Sequence, residues 1–184
     1  MRLNVRFSGA GGQGVILSSV LLAKAYGIGE NFNITQTQSY GPEARGGACK
    51  AEVVISDETI DYMKVDEADV FIAYNQAGYD KYCGALGADA LVLVNSTLVK
   101  TDNEPAYQIP ATQMAEEMGN SNAVNMVMLG ALTKLLPKLH YDIVKGEITE
   151  NFSKAIGEIN VIAFNKGYEY MEEEIKQEKQ KQFC

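Results

Sequence analysis

The nine residues from Arg6 to Gly14, with the sequence RFSGAGGQG, limit the possible fold of this 184-residue chain more than any other stretch. Before them, Leu3, Val5 and Phe7 alternate with polar residues, which is typical of a short strand. After them, residues 15–25 are mostly apolar with helical spacing, and the helix is expected to end near Gly27 or Gly29. The sequence therefore predicts a strand, a tight glycine turn and a helix.

The turn itself is a candidate binding site, made by Gly9, Gly11, Gly12, Gln13 and Gly14. Glycines let the backbone turn sharply and let a ligand approach the main chain closely. The first turn of the following helix has unpaired N–H groups and a partial positive charge, so a phosphate or carboxylate is expected to bind there. A turn that only packs the helix against the sheet, without a ligand, remains the alternative.

The spacing of Gly9, Gly11 and Gly14 also satisfies the G-x-G-x-x-G pattern of dinucleotide-binding proteins. That pattern includes an acidic residue about 20 positions further on, at the end of the next strand. The next predicted strand, Asn33 to Tyr40, contains no acid, and Glu30 lies before it. No Gly-Lys-Ser/Thr follows the glycines, which disfavours a P-loop.

The composition limits the kinds of ligand, cofactor and cellular location that are expected for this chain. The formal net charge of −8 argues against general nucleic-acid binding, and no apolar run reaches the ~18 residues of a membrane helix. We expect a cytoplasmic protein with a single domain over residues 1–184. Cys49, Cys83 and Cys184 are far apart and His140 is the only histidine. A metal or iron–sulfur site held by this chain alone is therefore not expected.

A loop rich in Gly and Pro, residues 39–47, is the second candidate site. It carries Tyr40, and Arg45 stands beside Gly46 and Gly47, where a guanidinium and bare backbone N–H groups could meet an anion. The alternative is a plain hairpin connection, because residues 48–55 alternate like a strand.

Two asparagines follow or interrupt apolar segments. Asn75 follows the apolar run 68–74, a predicted buried parallel strand, at the end where open α/β sheets bind ligands. It is expected either to line a cleft or to cap the following helix. Asn125 lies in a helix, 124–136, that is apolar nearly all round, so its amide needs a partner from the protein, a ligand or another subunit.

The C-terminal segment, residues 149–183, is predicted to begin with an amphipathic helix. Its apolar stripe would be formed by Phe152, Ala155, Ile156, Ile159 and Ala163. The end of the chain, about 165–184, is a charged helix that is either solvated or docks against a partner.

An ordered set of motifs resembles one family. The set comprises residues 9–15 (GAGGQGV), 38–47 (QSYGPEARGG), Ala68-Asp69-Val70 with Asn75-Gln76, and 125–131 (NMVMLGA). Together these residues resemble the gamma subunit of the 2-oxoacid:ferredoxin oxidoreductases. The set spans most of the chain up to about Leu136, and the charged C-terminus adds nothing to it.

The resemblance implies a three-layer α/β/α sandwich with a mixed, mostly parallel sheet. It also implies oxidative decarboxylation of a 2-oxoacid to an acyl-CoA, with electrons passing to ferredoxin. The partners would be alpha and beta subunits, with a delta subunit as a further candidate. Thiamine diphosphate and iron–sulfur clusters would belong to those partners, and the isolated chain would be inactive.

Carried over to this sequence, the resemblance makes the turn from Gly9 to Gly14 and Arg45-Gly46-Gly47 candidates for the phosphates or pantetheine arm of coenzyme A. The form of residues 39–47 favours the separate gamma subunits of 2-oxoglutarate enzymes. Pyruvate, branched-chain and indolepyruvate enzymes remain open. The rivals are a stand-alone nucleotide-binding oxidoreductase or regulatory domain that uses the glycine turn, and an assembly subunit that contacts no ligand.

Overall fold

The computed structural model describes residues 1–39, 48–101 and 106–182. The strands are β1 (Arg2–Ala10), β2 (Asn33–Gln38), β3 (Ala48–Ser56), β4 (Ala68–Ala73), β5 (Leu86–Asn95) and β6 (Tyr107–Ile109). The helices are α1 (Val15–Glu30), α2 (Gln76–Tyr82), α3 (Ala111–Glu117), α4 (Val124–Leu135), α5 (Tyr141–Asn151) and α6 (Lys154–Gln182). Within these residues no helix has the length and apolar character needed to cross a membrane.

The described strands form one mixed sheet with the order β2-β3-β1-β4-β5-β6. Strand β1 pairs in parallel with β4, β4 with β5, and β5 with β6, whereas β3 is antiparallel to both β1 and β2. Only β3 therefore runs against the other strands of this sheet. The mostly parallel arrangement confirms the predicted fold class and aligns the carboxyl ends of β1, β4 and β5 at one edge.

Two unequal layers cover the sheet. Alternate residues of the strands, such as Val5, Phe7 and Ile72, pack with α1, α4, α5 and α6 in the larger apolar core. On the opposite face, Phe71 packs with Tyr79 of α2 in a smaller cluster. The three-layer prediction is thus confirmed, with one thick and one thin helical layer.

Helices α4 and α6 approach each other unusually closely. A Cβ on Gly130 of α4 would overlap the carbonyl oxygen of Phe164, and a Cβ on Gly167 of α6 would overlap the carbonyl oxygen of Val127. Glycine at both positions lets the two backbones come into contact. This contact fixes the side of α6 that faces the core.

The predicted apolar stripe of the C-terminal helix is therefore largely wrong. Phe152 lies before the start of α6, and Ala155, Ile156 and Ile159 are exposed, whereas Ala163 is buried as expected. The buried face also contains Gly157, Asn160, Phe164, Gly167 and Met171. Several residues of this face are small and permit close packing, so the spacing of large apolar residues does not predict it.

The first helix ends close to the predicted position, but neither glycine ends it. Helix α1 continues through Gly27 and Gly29 to Glu30, and Asn31 ends it with a left-handed φ of 54°. A Cβ on Gly29 would come within 2.8 Å of Cδ1 of Ile143, so this glycine makes room for α5 rather than ending the helix. Asparagine is the side chain that best tolerates the left-handed cap.

Candidate functional site

The turn between β1 and α1 is open and is built from glycines that the backbone requires. Gly12 and Gly14 have φ values of 88° and 76°, in the left-handed region that favours glycine. Gln13 stabilises the turn from within: its backbone N–H donates to the Ala10 carbonyl (3.2 Å), and its Oε1 accepts from the Ala10 N–H (2.7 Å). The predicted strand, turn and helix are all present.

The N-terminus of α1 has free backbone donors. Gly14 is the N-cap and supplies no side-chain hydrogen bond, and no acidic residue lies in the first helical turn. Within the described residues, the N–H groups of Val15, Ile16 and Leu17 have no acceptor. These donors lie at the positive end of a 16-residue helix, so an anion is stabilised there by both hydrogen bonds and the helix dipole.

Gly9 lies beneath the turn, where helix α2 packs against the end of β1. A Cβ on Gly78 of α2 would lie 2.7 Å from the Gly9 nitrogen. A Cβ on Gly9 would itself lie 2.8 Å from Oε1 of Gln13 and 2.9 Å from Cγ2 of Val15. Gly9 is buried, so its role is close packing, whereas Gly11 and Gly12 are exposed.

A cavity of about 510 Å³ opens beside Gly12 and Gly14. Four asparagines line it, and we call it the asparagine pocket: Asn120, Asn122, Asn125 and Asn160. The remaining lining residues are mostly apolar and include Leu17, Met126, Phe152, Ile156 and Ile159. Helices α1, α4 and α6 thus each contribute a wall.

The side-chain amides of two of these asparagines have no hydrogen-bond partner. Asn125 is 4% exposed and Asn160 is 8% exposed, yet within the described residues neither side chain makes a hydrogen bond. No fully enclosed side-chain nitrogen or oxygen in that part of the chain lacks a partner, so the free amide atoms of both residues must reach the cavity. Unpaired amides at a cavity wall are donors and acceptors available to a ligand.

Asn125 also lies against the glycine turn. A Cβ on Gly14 would overlap the Asn125 amide. Asn125, the polar residue of the buried helix α4, therefore contacts the glycine turn, although it lies 111 positions after Gly14 in the chain.

A second cavity of about 500 Å³ lies on the other side of the turn. It is lined by Gly11, Gly12, Ile16, Val20 and Cys49, among other residues. Cys49 is the second residue of β3 and is 7% exposed. This burial raises the pKa of its thiol. The thiol is thus less ionised at neutral pH than an ordinary cysteine.

The loop residues Tyr40, Arg45, Gly46 and Gly47 lie outside the described residues. The strands that flank the loop are described: Gln38 pairs with Ala51, and Ala48 pairs with Ala10. Strand β2 therefore ends, and strand β3 begins, at the same edge of the sheet as the glycine turn. Its proposed contact with a ligand remains a prediction.

Asn75 caps helix α2. Its Oδ1 accepts a hydrogen bond of 2.8 Å from the Gly78 N–H, and its backbone is extended, with φ of −149°. Asn95, at the end of β5, is likewise committed, because its Nδ2 donates to the Tyr74 carbonyl and to Oγ1 of Thr112. Of the two roles predicted for Asn75, the structure shows the cap, and its binding role remains a prediction.

Asn120, Asn122 and Asn160 line the pocket but were not predicted as site residues from the sequence. Asn160 lies on the buried face of α6 between the small residues Gly157 and Ala163. The signal in the sequence that could have identified Asn160 as a site residue was its position among small residues on one face of the helix.

No cluster of three or more His, Cys, Asp or Glu side chains suited to a metal ion occurs among residues 1–39, 48–101 and 106–182. Glu30, the acid nearest to the dinucleotide pattern, pairs through Oε1 with Nε2 of His140 (2.7 Å) at the far end of α1. It is thus at the opposite end of the helix from the glycine turn.

Comparison with known proteins gives a consistent result. Residues 4–170 match the family model described as pyruvate ferredoxin/flavodoxin oxidoreductase. The chain is 45% identical over 179 residues to the 2-oxoglutarate synthase subunit KorC of Methanocaldococcus jannaschii, and the match covers 94% of this chain and 96% of the relative.

Two solved structures have the same fold. The first is the gamma subunit of a keto/oxoacid ferredoxin oxidoreductase from Geobacter sulfurreducens, with a TM-score of 0.81 and 35% identity over 92% of this chain and 95% of that one. The second is a 2-oxoglutarate:ferredoxin oxidoreductase from Magnetococcus marinus with 2-oxoglutarate, coenzyme A and succinyl-CoA bound. It has a TM-score of 0.81 and 27% identity over 93% of this chain, but over only 31% of its own.

Proposed function

Because the chain belongs to the pyruvate ferredoxin/flavodoxin oxidoreductase family, we propose that it acts as the gamma subunit of a multi-subunit 2-oxoacid:ferredoxin oxidoreductase, with 2-oxoglutarate as the favoured substrate. The observation that carries the proposal is near full-length similarity to a 2-oxoglutarate synthase subunit. The enzyme would oxidatively decarboxylate the 2-oxoacid and form an acyl-CoA.

Within that enzyme, we propose that this chain forms part of the coenzyme A site. The free amides at the start of α1 fit a phosphate, because they combine unpaired donors with the positive helix end. Arg45 would add a charge-assisted contact. The unpartnered amides of Asn125 and Asn160 fit the two amide groups of the pantetheine arm. Coenzyme A supplies the thiol that accepts the acyl group.

The other cofactors would be held by partner subunits. The described part of the chain has no metal-binding cluster, and a cysteine set for an iron–sulfur cluster is missing from the sequence. We therefore assign thiamine diphosphate and the iron–sulfur clusters to the alpha, beta and delta partners, with ferredoxin as the electron acceptor. The acidic composition and the lack of a membrane-spanning helix in the described residues agree with a cytoplasmic complex.

The first experiment is a pull-down of tagged chain from its native cell lysate, followed by mass spectrometry and a viologen-reduction assay. Each 2-oxoacid would be tested with and without coenzyme A. We expect larger oxidoreductase subunits to co-purify and 2-oxoglutarate to drive reduction that depends on coenzyme A. Recovery of the chain alone, in good yield and with a bound nucleotide, would contradict the proposal.

Arg45→Ala tests the assignment to coenzyme A in the assembled enzyme. Loss of a charge-assisted contact costs on the order of 1.5–3 kcal/mol, so the KM for coenzyme A should rise about tenfold to a hundredfold. Arg2→Ala is the matched control, because Arg2 is exposed at the start of β1, away from the glycine turn. An unchanged KM in Arg45→Ala would remove Arg45 from the site.

The rival reading as a stand-alone dinucleotide-binding protein has less support. In that fold the strand after the first helix lies beside the first strand and ends in the acidic residue that binds the ribose. Here β1 lies between β3 and β4, and β2 is separated from it by β3. Tight binding of NAD, FAD or ATP to the purified chain would restore this rival.

A further inference from the structure

Helix α6 exposes three isoleucines close together in sequence. Ile156, Ile159 and Ile162 are exposed by 53%, 47% and 54%. They follow one another at three-residue intervals, so they lie along one side of the helix. We call this surface the isoleucine face. The other exposed large apolar side chains of the described part, such as Ile28 and Leu98, lie on other elements.

The isoleucine face cannot be buried by rotating α6 within the chain. On its other side, Gly167 contacts the backbone of α4 at Val127, and Gly130 of α4 contacts the backbone at Phe164. Rotation would bring larger side chains into this contact and break the packing of Phe164 and Met171, which are fully buried. The helix is therefore a rigid support that presents three branched apolar side chains outwards.

The isoleucine face is continuous with the candidate coenzyme A site. Ile156 and Ile159 line the asparagine pocket together with Gly12 and Gly14. Ile162 lies three residues further along the helix and lines an open groove between α5 and α6. The apolar surface thus begins at the wall of the pocket and extends along α6 away from it.

We propose that the isoleucine face is the docking surface for the partner subunit that holds the acyl group, so that docking and completion of the coenzyme A site are one event. This inference rests on the function proposed above. The acyl group is generated outside this chain, so its carrier must reach the thiol of coenzyme A at the mouth of the pocket. The exposed apolar surface that borders that mouth is the isoleucine face.

The Magnetococcus structure supports a partner subunit as the protein that binds the isoleucine face. There the matching domain makes up 31% of a chain about three times as long, so a domain of this kind is joined to a further large protein body. The relative KorC is matched over 96% of its own length, so under the proposed function such a body is a separate subunit, which requires a desolvated apolar contact of its own. An acidic membrane surface is disfavoured by the net charge of −8.

The test is co-expression of the tagged chain with the larger subunits of the same oxidoreductase, followed by affinity capture and identification of those subunits by mass spectrometry. We expect Ile159→Glu and Ile162→Glu each to reduce recovery of the larger subunits at least tenfold, because a buried interface cannot solvate the carboxylate. Ile162 does not line the asparagine pocket, so its effect cannot be attributed to weaker binding of coenzyme A.

Ile28→Glu is the matched control. Ile28 is 65% exposed near the C-terminal end of α1, at the opposite edge of the sheet, so recovery should match the wild type. Thermal unfolding of all three variants checks that each remains folded, as expected for substitutions at exposed positions.

The outcomes separate the two proposals. If the wild-type chain captures the oxidoreductase subunits and the two α6 variants capture them equally well, the docking inference is wrong and the proposed function stands. If the wild-type chain captures none of these subunits, both proposals are wrong. If the chain is a dimer by light scattering and only the α6 variants are monomers that still capture the subunits, the occupant is a second copy, and the inference is overturned.

Discussion

Two strand–turn–helix units of this sheet, β1–α1 and β4–α2, occupy adjacent strands but end differently. After β4, Asn75 caps α2 through a 2.8 Å hydrogen bond, and Gln76 of α2 accepts from the Lys100 N–H (2.8 Å). After β1, the N-cap is Gly14, which has no side chain to donate or accept. The turn after β4 is thus closed by the protein itself, whereas the turn after β1 keeps free backbone N–H donors.

The difference shows how one fold can separate stability from binding. A side-chain cap satisfies the helix N-terminus and stabilises the protein, but it also occupies the donors that an anion would use. The two units are linked, because the hydroxyl of Tyr74, directly after β4, donates to Oγ of the buried Ser18 in α1 (2.9 Å). The closed unit thereby supports the open one.

Gly14→Ala should have the largest effect, because it alters the open turn in two ways. The left-handed φ of 76° costs an L-residue about 1–2 kcal/mol, and the new methyl group would overlap the Asn125 amide. We expect the free energy of unfolding in urea to fall by about 2–4 kcal/mol.

Gly12→Ala separates the two causes. Gly12 has a similar φ of 88°, but no atom lies within 4 Å of the position that its Cβ would take. It should therefore lose only the backbone part, about 1–2 kcal/mol. Equal losses in the two variants would show that Asn125 does not press against Gly14.

Asn75→Ala opens the closed turn. Loss of a side-chain N-cap should lower the free energy of unfolding by about 1 kcal/mol, with no change in the KM for coenzyme A in the assembled enzyme. Asn75→Asp keeps the acceptor and should restore stability. A clear rise in KM with Asn75→Ala would instead support the binding role that the sequence suggested.

Asn125→Leu is the counterpart at the open turn. Leucine keeps the branched shape of asparagine but removes the unpartnered amide, so stability should change by less than about 1 kcal/mol. The KM for coenzyme A should rise about threefold to tenfold, as expected for one neutral hydrogen bond. A loss of stability without a change in KM would mean that the amide is structural.

The smallest effect concerns the pH dependence of Cys49, beside the open turn. Because burial raises the pKa of its thiol, the thiolate forms at higher pH than in an exposed cysteine. In a Cys83→Ser, Cys184→Ser background, alkylation at pH 8 should be slower than for the urea-unfolded chain and should increase at higher pH. Equal rates at pH 8 would contradict this prediction.

The sequence alone predicted the open turn because its signals are local. The spacing of Gly9, Gly11 and Gly14, between an alternating strand and an apolar helix, involves residues within about 25 positions of one another. The buried strand β4 was also predicted from the continuous apolar run 68–74, which reflects burial on both faces. Asn125 was recognised as anomalous, since an amide in an apolar helix needs a partner.

Only the tertiary structure decided where those features meet. It placed β3 between β1 and β2, brought Asn125 to Gly14 and Asn160 to the same pocket, and assigned Asn75 to a cap. The clearest case is α6, where hydropathy predicted that Ile156 and Ile159 would be buried. Close packing of Gly130 and Gly167 turns a face of small residues inwards instead. The spacing of apolar residues is a property of one segment of the chain. The face that a helix buries depends instead on how closely another helix can approach it.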